Sequence, residues 1–259
     1  YLITGAEGVG RETLALAFVK ALNCANPPAA GEFCGECLPC RQIEAQAYPD
    51  LTIIRVADGA REIKIEQVRA MQQTLALAPY QSQYRIVLIP DFQKATLGAS
   101  NALLKSLEEP PSRAILILTA DARESLLETI ASRCEVLRLR PMRVEDLEKA
   151  LQEKEGVDEA QARKLAQLAG GRVGTALNYL RDEALLEKYN SALDQLEELL
   201  SLNLRGRLKI VDKWQRQKGQ ARETYSFLIA TWLTFWRDVL ICCEASTVPL
   251  VNLEKEALN

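Results

Sequence analysis

Residues Leu2-Ile3-Thr4-Gly5-Ala6-Glu7-Gly8-Val9-Gly10-Arg11-Glu12 decide how this chain reads. A strand-like apolar run enters a glycine-rich turn. A helix pattern follows from about Glu12 to Leu22, with Leu14, Phe18 and Leu22 at fourfold spacing. That is the setting of a phosphate loop: glycines let backbone N–H groups wrap a phosphate, and the helix N-terminus adds positive potential. The spacing of Gly5 to Gly10 fits G-x-x-x-x-G-K-[ST], which makes Gly5, Gly8, Gly10 and Arg11 the candidate phosphate-binding residues. Two chemical positions depart from the pattern. Arg11 replaces the lysine, a planar fork in place of a point donor. Glu12 replaces the hydroxyl that would hold Mg²⁺, and its carboxylate would repel a phosphate by roughly 4 kcal/mol at about 4 Å and an effective dielectric near 20. Thr13 has a hydroxyl, but one step along a helix turns it about 100° away. The expectation is a phosphate loop that no longer runs hydrolysis. The motif alone also admits a glycine-rich turn that never bound nucleotide.

Outward from this loop, short apolar runs alternate with helix patterns. Strands are expected at Leu51 to Ile54, Arg85 to Ile89, Ala114 to Thr119 and Val136 to Leu139. Helices are expected near Ile65 to Leu77 and from about Ser100 to Glu109, the latter stopped by Pro110-Pro111. Such alternation predicts an α/β fold with a parallel sheet. From Val144 onward only helix patterns appear: Val144 to Glu153, Asp158 to Leu168, Val173 to Arg181, then three longer ones to the end. Asp158 reads as an N-cap. Boundaries near Pro141 and Arg181 give three domains, 1–142, 143–181 and 182–259. The last carries a dense apolar stripe of Tyr225, Leu228, Ile229, Trp232, Phe235, Trp236, Val239 and Leu240.

Four of the seven cysteines, Cys24, Cys34, Cys37 and Cys40, form C-x9-C-x2-C-x2-C. Four thiolates match a closed tetrahedral Zn²⁺ site with no open position for water, so the module at about 24–40 should be structural. Unliganded buried thiols and an iron–sulfur cluster are the other readings. An odd cysteine count argues against a disulfide framework and for a reducing compartment. The absence of histidine excludes Ser-His and Cys-His catalytic pairs and imidazole ligation. A net charge of -3 argues against strong global attraction to nucleic acid. No apolar run is expected to span a bilayer. The chain opens inside a strand, which predicts residues before Tyr1.

The phosphate loop, the cysteine insert after its helix, Ser100-Asn101-Ala102-Leu103-Leu104-Lys105-Ser106-Leu107-Glu108-Glu109-Pro110-Pro111 and Thr129-Ile130-Ala131-Ser132-Arg133-Cys134 occur in that order. In this the chain resembles the bacterial DNA polymerase III clamp-loader subunits, over roughly Tyr1 to Leu180. The resemblance implies a RecA-like AAA+ sheet with an inserted zinc module, a helical lid and an all-α collar that joins subunits. It also implies a cytoplasmic protein with tau/gamma and delta subunits, the sliding clamp and, through the assembly, primer-template DNA as partners. Within the family the departures from an active ATPase point to the delta-prime type. The loop lacks its lysine and hydroxyl, Pro90-Asp91 stands where Asp-Glu is expected, and Gly174 stands at the sensor-arginine position, with Arg172 out of register. The alternative is an ATP-hydrolysing tau/gamma-type subunit or another AAA+ ATPase. Arg133 is implied as an arginine finger donated in trans to a neighbour's ATP site; read from the residues alone it is equally a surface arginine pairing with helix-end carbonyls. Thr119 is read as a strand-end residue, Glu108 and Glu109 as structural or interface residues, and Lys94 and Lys105 as phosphate contacts or a solvated face.

Overall fold

A computed structural model describes residues 1–216, 221–244 and 250–252. The chain divides into two compact units, Tyr1–Arg140 and Pro141–Asn259.

The first unit is built on five strands: β1 (Leu2–Thr4), β2 (Leu51–Ile53), β3 (Arg85–Ile89), β4 (Ala114–Ala120) and β5 (Val136–Arg138). Their order is β2-β3-β4-β1-β5, and every neighbouring pair is parallel. Five helices accompany them: α1 (Arg11–Asn23), α2 (Leu38–Glu44), α3 (Ile65–Leu75), α4 (Leu97–Glu108) and α5 (Glu128–Ala131). Side chains alternate across the sheet. Leu2, Val87, Ile89 and Leu118 pack with Val68, Leu103 and Ile130 of α3, α4 and α5 on one face. Ile3, Ile86, Leu88 and Ile117 pack with Ala15, Val19 and Ile43 of α1 and α2 on the other. Burial on both faces explains why β3 and β4 read as near-continuous apolar runs. The α/β expectation and the parallel sheet hold.

Two local readings change. α4 starts at Leu97 rather than near Ser100: the Thr96 side chain accepts a hydrogen bond from the Ala99 N–H at 3.2 Å, a cap that Gly98 obscured in the pattern. α2 has no counterpart among the expected helices, because its seven residues offer too short a period to read. Beside β3, fully buried Asp50 accepts backbone hydrogen bonds from Tyr80, Gln81 and Ser82 at 2.6, 2.8 and 2.9 Å, and Arg85 lies 3.2 Å away. Burial works to raise its pKa, but the three N–H donors outweigh burial and hold the carboxyl below its ordinary value.

The second unit is helical in its described residues: α6 (Val144–Glu155), α7 (Glu159–Ala169), α8 (Val173–Arg181), α9 (Glu183–Ser201), α10 (Leu204–Arg216) and α11 (Ala221–Cys243). Asp158 caps α7, accepting from the Gln161 N–H at 3.0 Å. α6, α7 and α8 share a core of Leu147, Leu151, Leu165 and Ala176. A second core joins Tyr189, Leu193 and Leu196 of α9 to Phe235 of α11. Buried Asp238 on α11 accepts from the backbone of Val251 and Asn252, and Tyr189 donates its hydroxyl to Asn252 at 2.8 Å. The expected third domain includes residues 217–220, 245–249 and 253–259, which lie outside the described residues.

The reading of α11 needs correction. Thr224–Cys243, with a mean hydropathy of 1.4, is long and apolar enough to cross a membrane by length and composition. Thr231, Thr234, Arg237 and Asp238 interrupt its apolar run, but the segment forms one continuous helix. Its stripe also divides. Leu228 and Phe235 are buried, and Trp232 donates its indole N–H to the Ala192 carbonyl at 2.7 Å. Ile229, Leu233, Trp236 and Leu240, at helical spacing, stay exposed.

Candidate functional site

The glycine-rich turn leaves β1 at Thr4 and enters α1 at Arg11. Gly5 is obligatory there: a Cβ would lie 2.7 Å from the Leu139 carbonyl oxygen and 2.9 Å from a Val9 methyl group. Gly10 holds φ 97 as the residue that opens α1, a left-handed conformation that glycine adopts without strain. Gly5, Gly8, Gly10 and Arg11 thus form one corner at the end of β1. The strand order brings a second loop close to it. Asp91 follows β3, and Thr119 lies on β4, between β3 and β1.

The charges of this corner pair with one another. Arg11, only 9% exposed, donates to Asp91 Oδ1 at 2.9 Å. Lys94 donates to the other oxygen of Asp91 at 2.9 Å, and the Asp91 N–H donates to the Thr119 hydroxyl at 3.0 Å. Asp91 takes a left-handed φ of 48, an uncommon conformation for a residue with a side chain. Glu12 does not face the loop's centre unpartnered: both Nη groups of Arg55 donate to its two oxygens, Nη1 at 2.9 Å. This hydrogen bond to Glu12 raises the Arg55 pKa against the opposing effect of burial. Nη1 of Arg11 is buried with no hydrogen-bond partner among the described residues. Arg55 was invisible as a site residue in the sequence, since it lies 43 positions from its carboxylate and belongs to no motif. Lys94, considered as a phosphate contact, is engaged with Asp91. Arg172 lies in the second unit, donating through Nε to the Ala169 carbonyl at 2.8 Å.

Arg133 follows α5. Ile130 and Ala131 are buried and anchor it, and the Arg133 N–H donates to the Ile130 carbonyl at 3.1 Å. Among the described residues its guanidinium makes two contacts: Nη1 donates to the Thr129 carbonyl at 2.9 Å, and Nη2 lies 2.6 Å from Glu108 Oε1. The first is the helix-end pairing weighed from sequence. The second links Arg133 to α4 and was not anticipated. The Arg133 side chain remains 35% exposed.

The four cysteines converge. Their sulfurs all lie within 4.8 Å of one another, with Cys24 to Cys34 at 3.5 Å and Cys24 to Cys37 at 3.9 Å. Four sulfurs about 2.3 Å from a tetrahedral Zn²⁺ would be about 3.8 Å apart, so the donor set and its spacing fit a metal ion. Backbone N–H groups of Cys34 and Cys37 donate to the sulfurs of Cys24 and Cys34 at 3.3 Å each. The backbone N–H of Cys40 holds the Cys37 thiol down to about 6, whereas burial, with the hydrogen bond to Cys37, pushes Cys40 up to about 12. Cys37 precedes α2 and Cys40 lies within it, so this short helix sets the geometry of two ligands. These four residues could hold a metal ion.

A parallel β2-β3-β4-β1-β5 sheet with a phosphate-loop turn after β1 defines a RecA-like AAA+ domain, followed here by a helical unit. A crystal structure of a DNA polymerase III gamma subunit-related protein from Thermotoga maritima shares this fold, with a TM-score of 0.50 and 21% identity over 87% of this chain and 70% of that one. The family model described as DNA polymerase III, delta subunit, matches residues 1–143, and the chain belongs to this family. The DNA polymerase III subunit delta' of Bacillus subtilis is 30% identical over 238 residues, 92% of this chain and 65% of that protein. The DNA polymerase III subunit gamma of Buchnera aphidicola is 30% identical over 207 residues, 78% of this chain and 56% of its own length. The chain therefore spans little more than half of the one relative and about two thirds of the other.

Proposed function

We propose that this chain is a delta-prime-type subunit of a bacterial clamp loader, one that does not hydrolyse ATP. The observation that carries the reading is the closed charge set of the phosphate loop. Arg11 stands where an ATPase needs lysine and is paired with Asp91 at 2.9 Å, and Glu12 stands where it needs a hydroxyl and is held by Arg55. Nucleotide would have to break the first pair and meet the carboxylate of the second. Pro90 removes a further Mg²⁺-holding side chain from the loop after β3.

In this reading Arg133 acts in trans, reaching the ATP held by a neighbouring tau/gamma subunit. Phosphoryl transfer is accelerated chiefly by positioning and charge neutralisation, which a guanidinium supplies without needing an intact pocket of its own. The cysteines Cys24, Cys34, Cys37 and Cys40 hold structural Zn²⁺. Residues 143–181 serve as a lid and 182–259 as a collar, and the exposed Ile229, Leu233, Trp236 and Leu240 of α11 suit an interface with adjacent subunits. The partners are tau/gamma and delta, with the sliding clamp and primed DNA reached through the assembly.

The experiment is Mg²⁺-ATP titration of the purified chain with a turnover assay. Neither saturable binding in the micromolar range nor turnover is expected. Turnover by the chain alone would replace this reading with an ATP-hydrolysing tau/gamma-type subunit.

A further inference from the structure

α4 closes on Glu108, because Pro110 and Pro111 cannot continue the helix. A carboxylate at that place meets the negative end of the helix dipole, where a lysine or arginine would be favoured. Breaking a local rule without a local gain points to a role elsewhere. The partner that offsets it is Arg133, 2.6 Å away and 25 residues on. This pair is half open to solvent, with side chains 35% and 50% exposed, so it adds little to the stability of the fold.

What the pair does alter is the freedom of the guanidinium. A solvent-facing arginine samples many rotamers, and ordering them opposes any reaction that needs one. Here two nitrogens of one rigid plane are held from two sides, Nη2 by Glu108 on α4 and Nη1 by the Thr129 carbonyl of α5. A guanidinium carries five N–H donors, and these two bonds leave others for a phosphate oxygen. The backbone beneath is equally fixed, since Ile130 has no exposed surface and Ala131 is 2% exposed.

We infer that Glu108 is a positioning residue for Arg133: it presets the plane and reach of the guanidinium, so that little ordering remains when a neighbour's triphosphate arrives. The inference rests on Arg133 acting in trans, as proposed above. Where the interface excludes water, the same carboxylate also partners a cation that would otherwise be buried unpaired.

The test is a loader reconstituted with tau/gamma, delta and this chain as wild type, Arg133→Ala, Glu108→Ala, Glu108→Gln or Glu108→Ala with Arg133→Ala, assayed for ATP turnover with sliding clamp and primed DNA. Glu108→Ala is expected to lower kcat by about ten- to a hundredfold, as a misplaced group does, with the KM for ATP, assembly and melting temperature unchanged. Glu108→Gln, which keeps an acceptor, should lose less. The double variant should be no slower than Arg133→Ala alone. If Arg133→Ala is slow but both Glu108 variants run at the wild-type rate, the positioning role is overturned and the finger stands. A double variant slower than Arg133→Ala also overturns it, since Glu108 would then act without Arg133. Wild-type turnover by Arg133→Ala overturns the finger, and this inference with it.

Discussion

At two corners of one sheet, Arg11 and Arg133 differ in how deeply they are buried. Beside β1 and β3, Arg11 is buried against Asp91, with its Nη1 unpartnered among the described residues, while Glu12 is paired with a part-exposed Arg55. After α5, Arg133 sits partly exposed with a partner that is itself half exposed. A buried pair is costly to open, because the group left behind is stranded in a poor solvent. A part-exposed guanidinium can take up a further acceptor without stranding the partner it has. The difference teaches that one domain can bury one arginine against its own carboxylate and leave another within reach of a neighbour, provided the two corners are built separately.

The largest expected effect tests that separation directly. In the reconstituted loader, Arg133→Ala should slow ATP turnover at the adjoining site by about 10³-fold or more. Arg11→Ala should leave turnover close to wild type. Equal losses from the two variants, measured side by side by phosphate release, would erase the contrast.

A second prediction concerns a charge more deeply closed than Arg11. Asp50 is held below its ordinary pKa, so its contribution to stability is complete above an unfolded carboxylate pKa of about 4 and is lost as pH falls through the folded value. Denaturant melts should be flat from neutral pH down to about pH 5 and fall steeply in more acid solution. Asp50→Asn, which strands at least one backbone N–H, should cost about 2–4 kcal/mol at neutral pH and flatten the acid limb. An acid limb as steep in Asp50→Asn as in wild type would remove Asp50 from the account.

A smaller loss is expected at the phosphate loop. Arg11→Ala should lower stability by about 1–3 kcal/mol, discounted because Asp91 is one-third exposed and keeps Lys94. An unchanged melting curve would mean that the corner is less closed than its distances indicate. The smallest effect is a null one. Arg11→Lys combined with Glu12→Thr restores both residue types of a working loop, yet should yield no ATP turnover, because Pro90 and the Asp91 backbone stay as they are. Turnover by that variant would show that two side chains alone disarm the site.

The sheet was legible because its central strands are buried on both faces, which writes them as apolar runs such as Ile86 to Ile89. The glycine-rich turn and the cysteine set were legible because a tight strand-to-helix turn and a set of metal ligands both require fixed spacing. What the sequence hid was long-range pairing. Nothing in the order of residues says that Arg55 meets Glu12, that Glu108 meets Arg133, or that Asp50 collects the N–H groups of Tyr80 to Ser82. Such contacts depend on which loops the strand order brings together, and ion pairs leave no periodic trace. The exposed half of the α11 stripe was equally hidden, since Ile229 and Leu228 look alike until one of them is buried.

The strand order also sets a schedule for folding on the ribosome. β1 is made well before its two neighbours, since Leu2 aligns with Leu118 on one side and Val136 on the other. More than a hundred further residues must leave the exit tunnel before β1 finds a hydrogen-bonding neighbour in this sheet, and closure over so long a separation is slow. The cysteine insert and α1 can form early from nearby residues, while the glycine turn between β1 and α1 takes its final shape only once Leu139 arrives to press against Gly5.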